Sequence, residues 1–178
     1  MHRIVAGIKS LEQHNEAIRL TPEVYRPPSC PHCGITIVWC HGHYERKADL
    51  CNRGEANLNP VAIPRYCCSS CRRTFSRLPE CIAPWRWYNW LLQQIGLRAV
   101  FDGTPLVMPP ACSTPARRTL ERWRNGLQER GQVFRSFLTS RFSELGRLAD
   151  DTDFWRQVFD TLGLSEAMAW LDKEINVP

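Results

Sequence analysis

Lysine is scarce in this chain. Of its 23 basic residues only Lys9, Lys47 and Lys173 are lysine, and the rest are arginine. A surface that draws in anions mainly through ammonium groups is thereby excluded. The cations on offer are planar guanidinium forks, which suit phosphate oxygens and the guanine edge. GC-rich coding would favour arginine as well, so the bias gains meaning only from position. Long apolar runs are also missing. Nothing approaches the roughly 18 uninterrupted apolar residues a membrane-spanning helix needs. The opening stretch MHRIVAGIKSLEQHNEAIRL turns polar too soon to hold an export-signal core. These absences predict a soluble, cytoplasmic protein. Internal repeats and low-complexity tracts are absent, and a hydrophobic content of 43% argues against wholesale disorder. A length of 178 residues suits one compact domain or two small modules.

Cysteine, by contrast, is plentiful. Nine in one chain is an odd number, and without an export signal a disulfide framework is the weaker explanation. Two pairs stand out, Cys30-Pro31-His32-Cys33-Gly34 and Cys68-Ser69-Ser70-Cys71. Each C-x-x-C brings two sulfurs together on a tight knuckle whose amides can donate to them. Two such knuckles supply the four soft ligands of a closed structural zinc site. Gly34 and Arg72 follow the pairs, where the chain must turn back into a strand. The long separation between the pairs is absorbed by an inserted loop, because closure entropy grows slowly with length. Cys67 competes with Cys68, but only 68 and 71 have the two-residue spacing, which leaves Cys67 on the opposite strand face. Cys40, His41, His43 and Cys51 form an irregular second grouping that could hold another metal. Cys81 and Cys112 read as packing residues. Four thiolates would fill the metal's coordination shell, so one structural zinc ion is expected and a catalytic one is not.

Along the chain, residues 1–27 form a lead-in with a short helix from Ser10 and prolines at 22 and 27. ITIVWC at 35–40 and VAIPRYC at 61–67 read as strands, with a polar loop at 52–60 between them. From Pro84 onward the apolar spacing turns helical. Tyr88, Leu91, Leu92, Ile95 and Ala99 form one stripe. Ser113-Thr114-Pro115 reads as an N-cap with proline at the first helical position. Ala116, Leu120, Trp123 and Leu127 mark the next helix, ended by Gly131. Three more follow, around Phe134–Leu145, Phe154–Leu162 and Ala167–Ile175. Trp85, Trp87 and Trp90 fall off the main stripe. They read either as a base-stacking or partner surface or, more commonly for clustered aromatics, as a second core face.

The charge is distributed unevenly. Residues 1–82 carry +4, residues 83–147 carry +6 and residues 148–178 carry −5. On the 115–127 helix, Arg118 and Asn125 project opposite the apolar face, with Glu121 and Arg122 beside them and Arg117 and Arg124 on the flanks. Long donors opposite an anchored apolar back are what a major-groove helix requires. Arg118, Arg122 and Asn125 are candidates for base edges, and Arg117 and Arg124 for phosphates. A solvated basic face is the plainer alternative. Arg65, Arg72, Arg73 and Arg77 around the second knuckle, with His43, Arg46 and Lys47 near the first, could meet phosphates.

At CPHCG, at HGHYERK (41–47) and at IPRYCCSSCRRTFSRLPECIAP (63–84), the sequence resembles the zinc-ribbon region of bacterial insertion-sequence transposases. STPARRTLERW (113–123) resembles their helix-turn-helix segment. The resemblance covers about residues 25–127 and implies double-stranded DNA binding. It stops short of the RNase-H-like catalytic domain of those enzymes. Asp150, Asp151, Asp153 and Asp160 sit in helical segments, so no catalytic residue is carried over and no enzyme is expected. The fold expected is α+β, with a small zinc-ribbon β module at 28–82 followed by an all-α helical bundle. That bundle holds a helix-turn-helix at 83–131 and acidic C-terminal helices at 132–178. The function expected is a nucleoid-associated, mobile-element-related targeting or regulatory factor. The acidic end would complete the helical core or dock a protein partner or second copy, which would make the chain an adaptor. A nuclease or transposase remnant is the third alternative.

Overall fold

A computed structural model describes residues 2–48, 57–84, 88–110, 112–147, 150–175 and 177, with backbone alone at 2, 3 and 147. The described residues form a mixed α/β structure with a four-stranded sheet and six α-helices. The strands are β1 (His2–Val5), β2 (Val38–Arg46), β3 (Val61–Cys68) and β4 (Thr74–Pro79). Their order across the sheet is β1-β4-β3-β2; β1 runs parallel to β4 and the other pairs are antiparallel.

Val61, Ile63, Tyr66 and Cys68 of β3 are buried, and the buried parity changes between Ile63 and Tyr66, so the two ends of the strand serve different apolar clusters. Pro64 lies inside this central strand without an N–H to donate. The β2–β3 register shifts between Cys40 and His43 at that place, and Gly42 there takes φ +79°. A bulge opposite the proline removes the demand for its missing donor. The strand expected at 35–40 begins only at Val38. Ile35 and Ile37 serve the knuckles instead, the Ile35 carbonyl accepting from the Cys30 amide at 2.8 Å and the Ile37 carbonyl from Ser69 Oγ at 2.8 Å.

The lead-in expected at residues 1–27 contains more structure than a helix. Ser10 caps α1 (Leu11–Leu20) as anticipated, its hydroxyl accepting from the Gln13 amide at 3.2 Å. His14 of α1 is fully buried; its Nδ1 lies 2.6 Å from the Tyr25 hydroxyl and its Nε2 lies 2.9 Å from the Ala62 carbonyl. That pairing makes Nε2–H the donor to Ala62. Burial holds the imidazole pKa below its ordinary value. β1 was not foreseen. Ile4 within it joins the helical core, and its amide donates to the buried Asp172 carboxylate at 2.7 Å.

The helices are α2 (Trp90–Asp102), α3 (Arg117–Glu129), α4 (Gly131–Arg141), α5 (Asp151–Thr161) and α6 (Gly163–Glu174). On α2 the inward face is rotated from the expected stripe. Trp90, Leu92, Gln93, Gly96 and Leu97 are buried, whereas Leu91 is 62% exposed. Asn89 caps the helix, accepting from the Leu92 amide at 2.9 Å. Trp90 is therefore core; Trp85 and Trp87 lie outside the described residues. On α3 the expected Leu120, Trp123 and Leu127 are buried, but the N-cap is Ala116 rather than Ser113 or Thr114. Gly131 does not end a run of helix. It opens α4 after the single residue Arg130. The connection 103–116 between α2 and α3 is far longer than the roughly three- or four-residue turn of a helix-turn-helix. The two helices nonetheless pack closely, since a Cβ on Gly96 would stand 2.6 Å from Leu120 Cδ2 and 3.2 Å from Trp123 Cζ3. α5 and α6 complete the core with Phe154, Trp155, Val158, Leu164 and Met168, so the apolar stripes of the acidic end are buried inside the protein.

Candidate metal centre

The two C-x-x-C pairs meet. Cys30, Cys33, Cys68 and Cys71 present sulfurs that all lie within 4.8 Å of one another. Cys30 Sγ is 3.8 Å from Cys71 Sγ, and Cys33 Sγ is 3.5 Å from Cys68 Sγ. A tetrahedron with Zn–S arms of roughly 2.3 Å has edges of about 3.8 Å, so the sulfurs already stand near zinc geometry. The knuckles share one bond, from the first cysteine's amide to the carbonyl five residues on, Ile35 for Cys30 and Arg73 for Cys68. In the first, the His32 amide approaches Cys30 Sγ at 3.4 Å and the Gly34 amide donates to the Cys30 carbonyl at 2.9 Å. In the second, the Cys71 amide approaches Cys68 Sγ at 3.4 Å and the Cys68 amide donates to the Arg73 carbonyl at 3.1 Å. Gly34 turns with φ +76° and Arg72 with φ +57°, the left-handed step that lets each chain leave its knuckle.

The electrostatics are those of a site awaiting a cation. Burial alone would push the Cys68 thiol up. Amides of Cys71 and Ser70, with the thiols of Cys33 and Cys30, overcome it and hold Cys68 at about 6. At Cys71 the Arg73 amide favours the thiolate, but burial and the sulfurs of Cys68, Cys33 and Cys30 push it up to about 11. Cys68 is thus held toward its thiolate while Cys71 resists becoming one. A divalent ion at the centre removes that conflict, because it stabilises all the thiolates together. Cys30 and Cys68 are buried, Cys71 is half-buried and Cys33 is exposed. Beneath them lies a small core of Val5, Tyr25, Val38, Tyr66 and Phe75. These residues fit zinc, which would act there as a clamp between two loops.

Cys68 rather than Cys67 belongs to the cluster. The Cys67 thiol turns to the other face, 3.7 Å from the carbonyls of Cys68 and Arg72. Cys40, His41 and His43 are exposed on β2 around its bulge, and among the described residues they form no metal-binding group. Cys51 lies outside the described residues. Cys81 is a packing residue whose thiol burial pushes up to about 12. Cys112, expected to pack, is disulfide-bonded instead. The late acids serve the fold: Asp150 accepts from the Thr152 and Asp153 amides, and Asp151, Asp153 and Asp160 pair with Arg135, Arg156 and Arg98.

The predicted DNA-contacting residues fall into two groups. On α3, Arg118, Arg122 and Asn125 are exposed and line one shallow concavity together with the carboxylates of Glu121 and Glu129. Arg117 projects fully into solvent and bonds Glu121 at 2.9 Å, one turn along. Arg124 is half-buried on the flank. On the sheet, Arg65 donates to Thr74 Oγ1 at 3.1 Å, Arg73 lies 3.4 Å from His32 Nδ1, and Arg72 stacks over Trp39. Arg46 is drawn inward, donating to the Ala83 carbonyl at 2.7 Å. The same surface carries a residue that sequence reasoning passed over. Trp39 is 49% exposed, and the alternation Ile35, Ile37, Trp39 on exposed positions was the available signal.

A family described as Domain of unknown function (DUF6431) matches residues 30–123. The chain belongs to that family. The matched span of this DUF6431 member opens on Cys30, the first sulfur of the cluster, and closes on Trp123, the buried anchor of α3. It thus contains all four cysteines, strands β2 to β4 and helix α2. No curated protein and no solved structure matches the DUF6431 chain. Among the described residues, no helix is long and apolar enough to cross a membrane.

Proposed function

We propose that this protein binds double-stranded DNA with sequence preference, as a mobile-element-related targeting or regulatory factor built on a four-cysteine zinc ribbon. The ribbon comprises the two knuckles with β2, β3 and β4, and the helices α2 to α6 form the bundle beside it. The observation that carries this reading is the construction of α3. Leu120, Trp123 and Leu127 anchor one side in the helical core, while Arg118, Arg122 and Asn125 stand together on the other. Among the described residues, neither Arg118 nor Arg122 is engaged by a carboxylate. Guanidinium groups held on a rigid helix without internal partners are ready for the donor–acceptor pattern of the major groove. α2 supports α3 from behind, as a second helix supports a recognition helix, although the connection between them is long.

The test is fluorescence anisotropy of labelled duplexes recovered by selection from random DNA. Arg118→Ala should weaken binding by about 1–3 kcal/mol and relax the preference at one base position. Arg117→Ala should weaken binding evenly across sequences and reduce the salt slope by about one. Identical behaviour of the two variants, or binding that ignores salt, would refute the assignment of α3.

A further inference from the structure

The outer face of the sheet carries a second surface that the reading of α3 leaves unused. Trp39, Cys67 and Thr74 face one another across β2, β3 and β4. Their chain neighbours Val38, Cys68, Tyr66 and Phe75 point the other way into the core beneath the knuckles. Trp39 therefore stands on the solvent side, with Ile37 at 61% and Ile35 at 42% exposure in the segment that leads into the edge strand. Cations surround this apolar edge. The Arg72 guanidinium lies over the indole, 5.4 Å from its centroid. Arg65 reaches Thr74 on the same row, and Arg73 sits beside His32 at the knuckle. Among the described residues none of Arg65, Arg72 and Arg73 has a carboxylate partner, whereas Arg98, Arg135 and Arg156 in the helical half each have one.

An exposed aromatic on a rigid strand, with unpaired guanidinium groups around it, is the chemistry of a platform for unpaired bases. The ring offers a face to any base, and the cations follow the phosphates on either side. We propose that this face binds single-stranded DNA, with Trp39 stacking one base and Arg72, Arg65 and Arg73 holding the flanking backbone. The position of Arg72 supports an active role. It adopts a left-handed conformation that favours glycine, yet the residue there is a long cation laid against the indole. The knuckle hydrogen bonds, including Ser69 Oγ to the Ile37 carbonyl at 2.8 Å, hold β2 in register below the ring.

The experiment measures anisotropy of a labelled oligothymidylate of about 12 nucleotides, within the range of small single-strand binders, beside a labelled hairpin duplex. The zinc-loaded full chain should bind the oligothymidylate with a steep salt dependence. Trp39→Ala should weaken that binding about tenfold or more, while Trp39→Phe keeps it within a few-fold. Arg72→Gly relieves the backbone and removes only the cation; it should cost several-fold and lower the salt slope by about one. Trp39→Ala should leave duplex binding unchanged, and Arg118→Ala should change duplex binding alone. If the oligothymidylate fails to bind at low salt, or Trp39→Ala and Arg72→Gly bind it as wild type does, the proposal is overturned. Loss of duplex binding with the oligothymidylate results intact would overturn the α3 reading and leave this one standing.

Discussion

The two halves of this molecule hold themselves together by different means. The helical half has a continuous core from Trp90 to Leu171, threaded with aromatic contacts such as Phe134 against Trp155 at 6.1 Å. Among the described residues, three of its arginines, Arg98, Arg135 and Arg156, lie 2.7–3.4 Å from carboxylates, while Arg118 and Arg122 on α3 do not. The half around the four cysteines has two small apolar clusters, of which one rests directly on the sulfurs. Its Arg65, Arg73 and Arg72 contact a hydroxyl, an imidazole and an aromatic ring, and Arg26 and Arg46 contact backbone carbonyls. The helical half rests on packing, whereas the cysteine half has smaller apolar clusters beside a four-sulfur group able to hold a metal ion.

Removing the metal should divide the halves most sharply. Structural zinc contributes on the order of 10–16 kcal/mol in small ribbons. Strong chelation or Cys33→Ser should therefore abolish hydrogen-exchange protection in β2 and β3 while α5 and α6 stay protected. Protection surviving in β2 would contradict the division. The converse change is smaller. Trp155→Ala empties a site that is 1% exposed and should destabilise the helical half by about 3–5 kcal/mol in denaturant melts, with zinc stoichiometry unchanged. A fall in bound zinc would mean the halves are one cooperative unit. The smallest effect concerns His14, whose pKa is lowered by burial. Below about 6.5 the unfolded chain takes up a proton that the folded imidazole resists. Stability attributable to His14 is thus complete at neutral pH and is lost as pH falls through that value. Urea melts of wild type and His14→Gln at pH 7.5 and 5.5 should show a shallower pH dependence in the variant.

Much of the metal site was legible in the residues because its chemistry is local. Two C-x-x-C pairs dictate their own knuckles, and the choice of Cys68 over Cys67 followed from spacing alone. Helix α3 showed its buried face through Leu120, Trp123 and Leu127 for the same reason. What escaped depended on distant partners. β1 consists of four residues whose reason to be a strand is β4, more than seventy positions away. The inward face of α2 was misjudged because its Gly96 side packs on Leu120 and Trp123 of α3, which leaves Leu91 in solvent. Arg46 read as a surface cation, yet the Ala83 carbonyl draws it inward. Trp39 was hidden by its own hydrophobicity, since an aromatic in a strand reads as core until the sheet shows which side is covered.

The bond from the Ile4 amide to Asp172 joins residues 168 positions apart. During synthesis the third residue of β1 waits 168 positions before its capping carboxylate emerges. Until then that sheet edge stays unsealed and open to wrong pairings. Sealing it requires α6, and any truncation that removes α6 leaves the edge exposed.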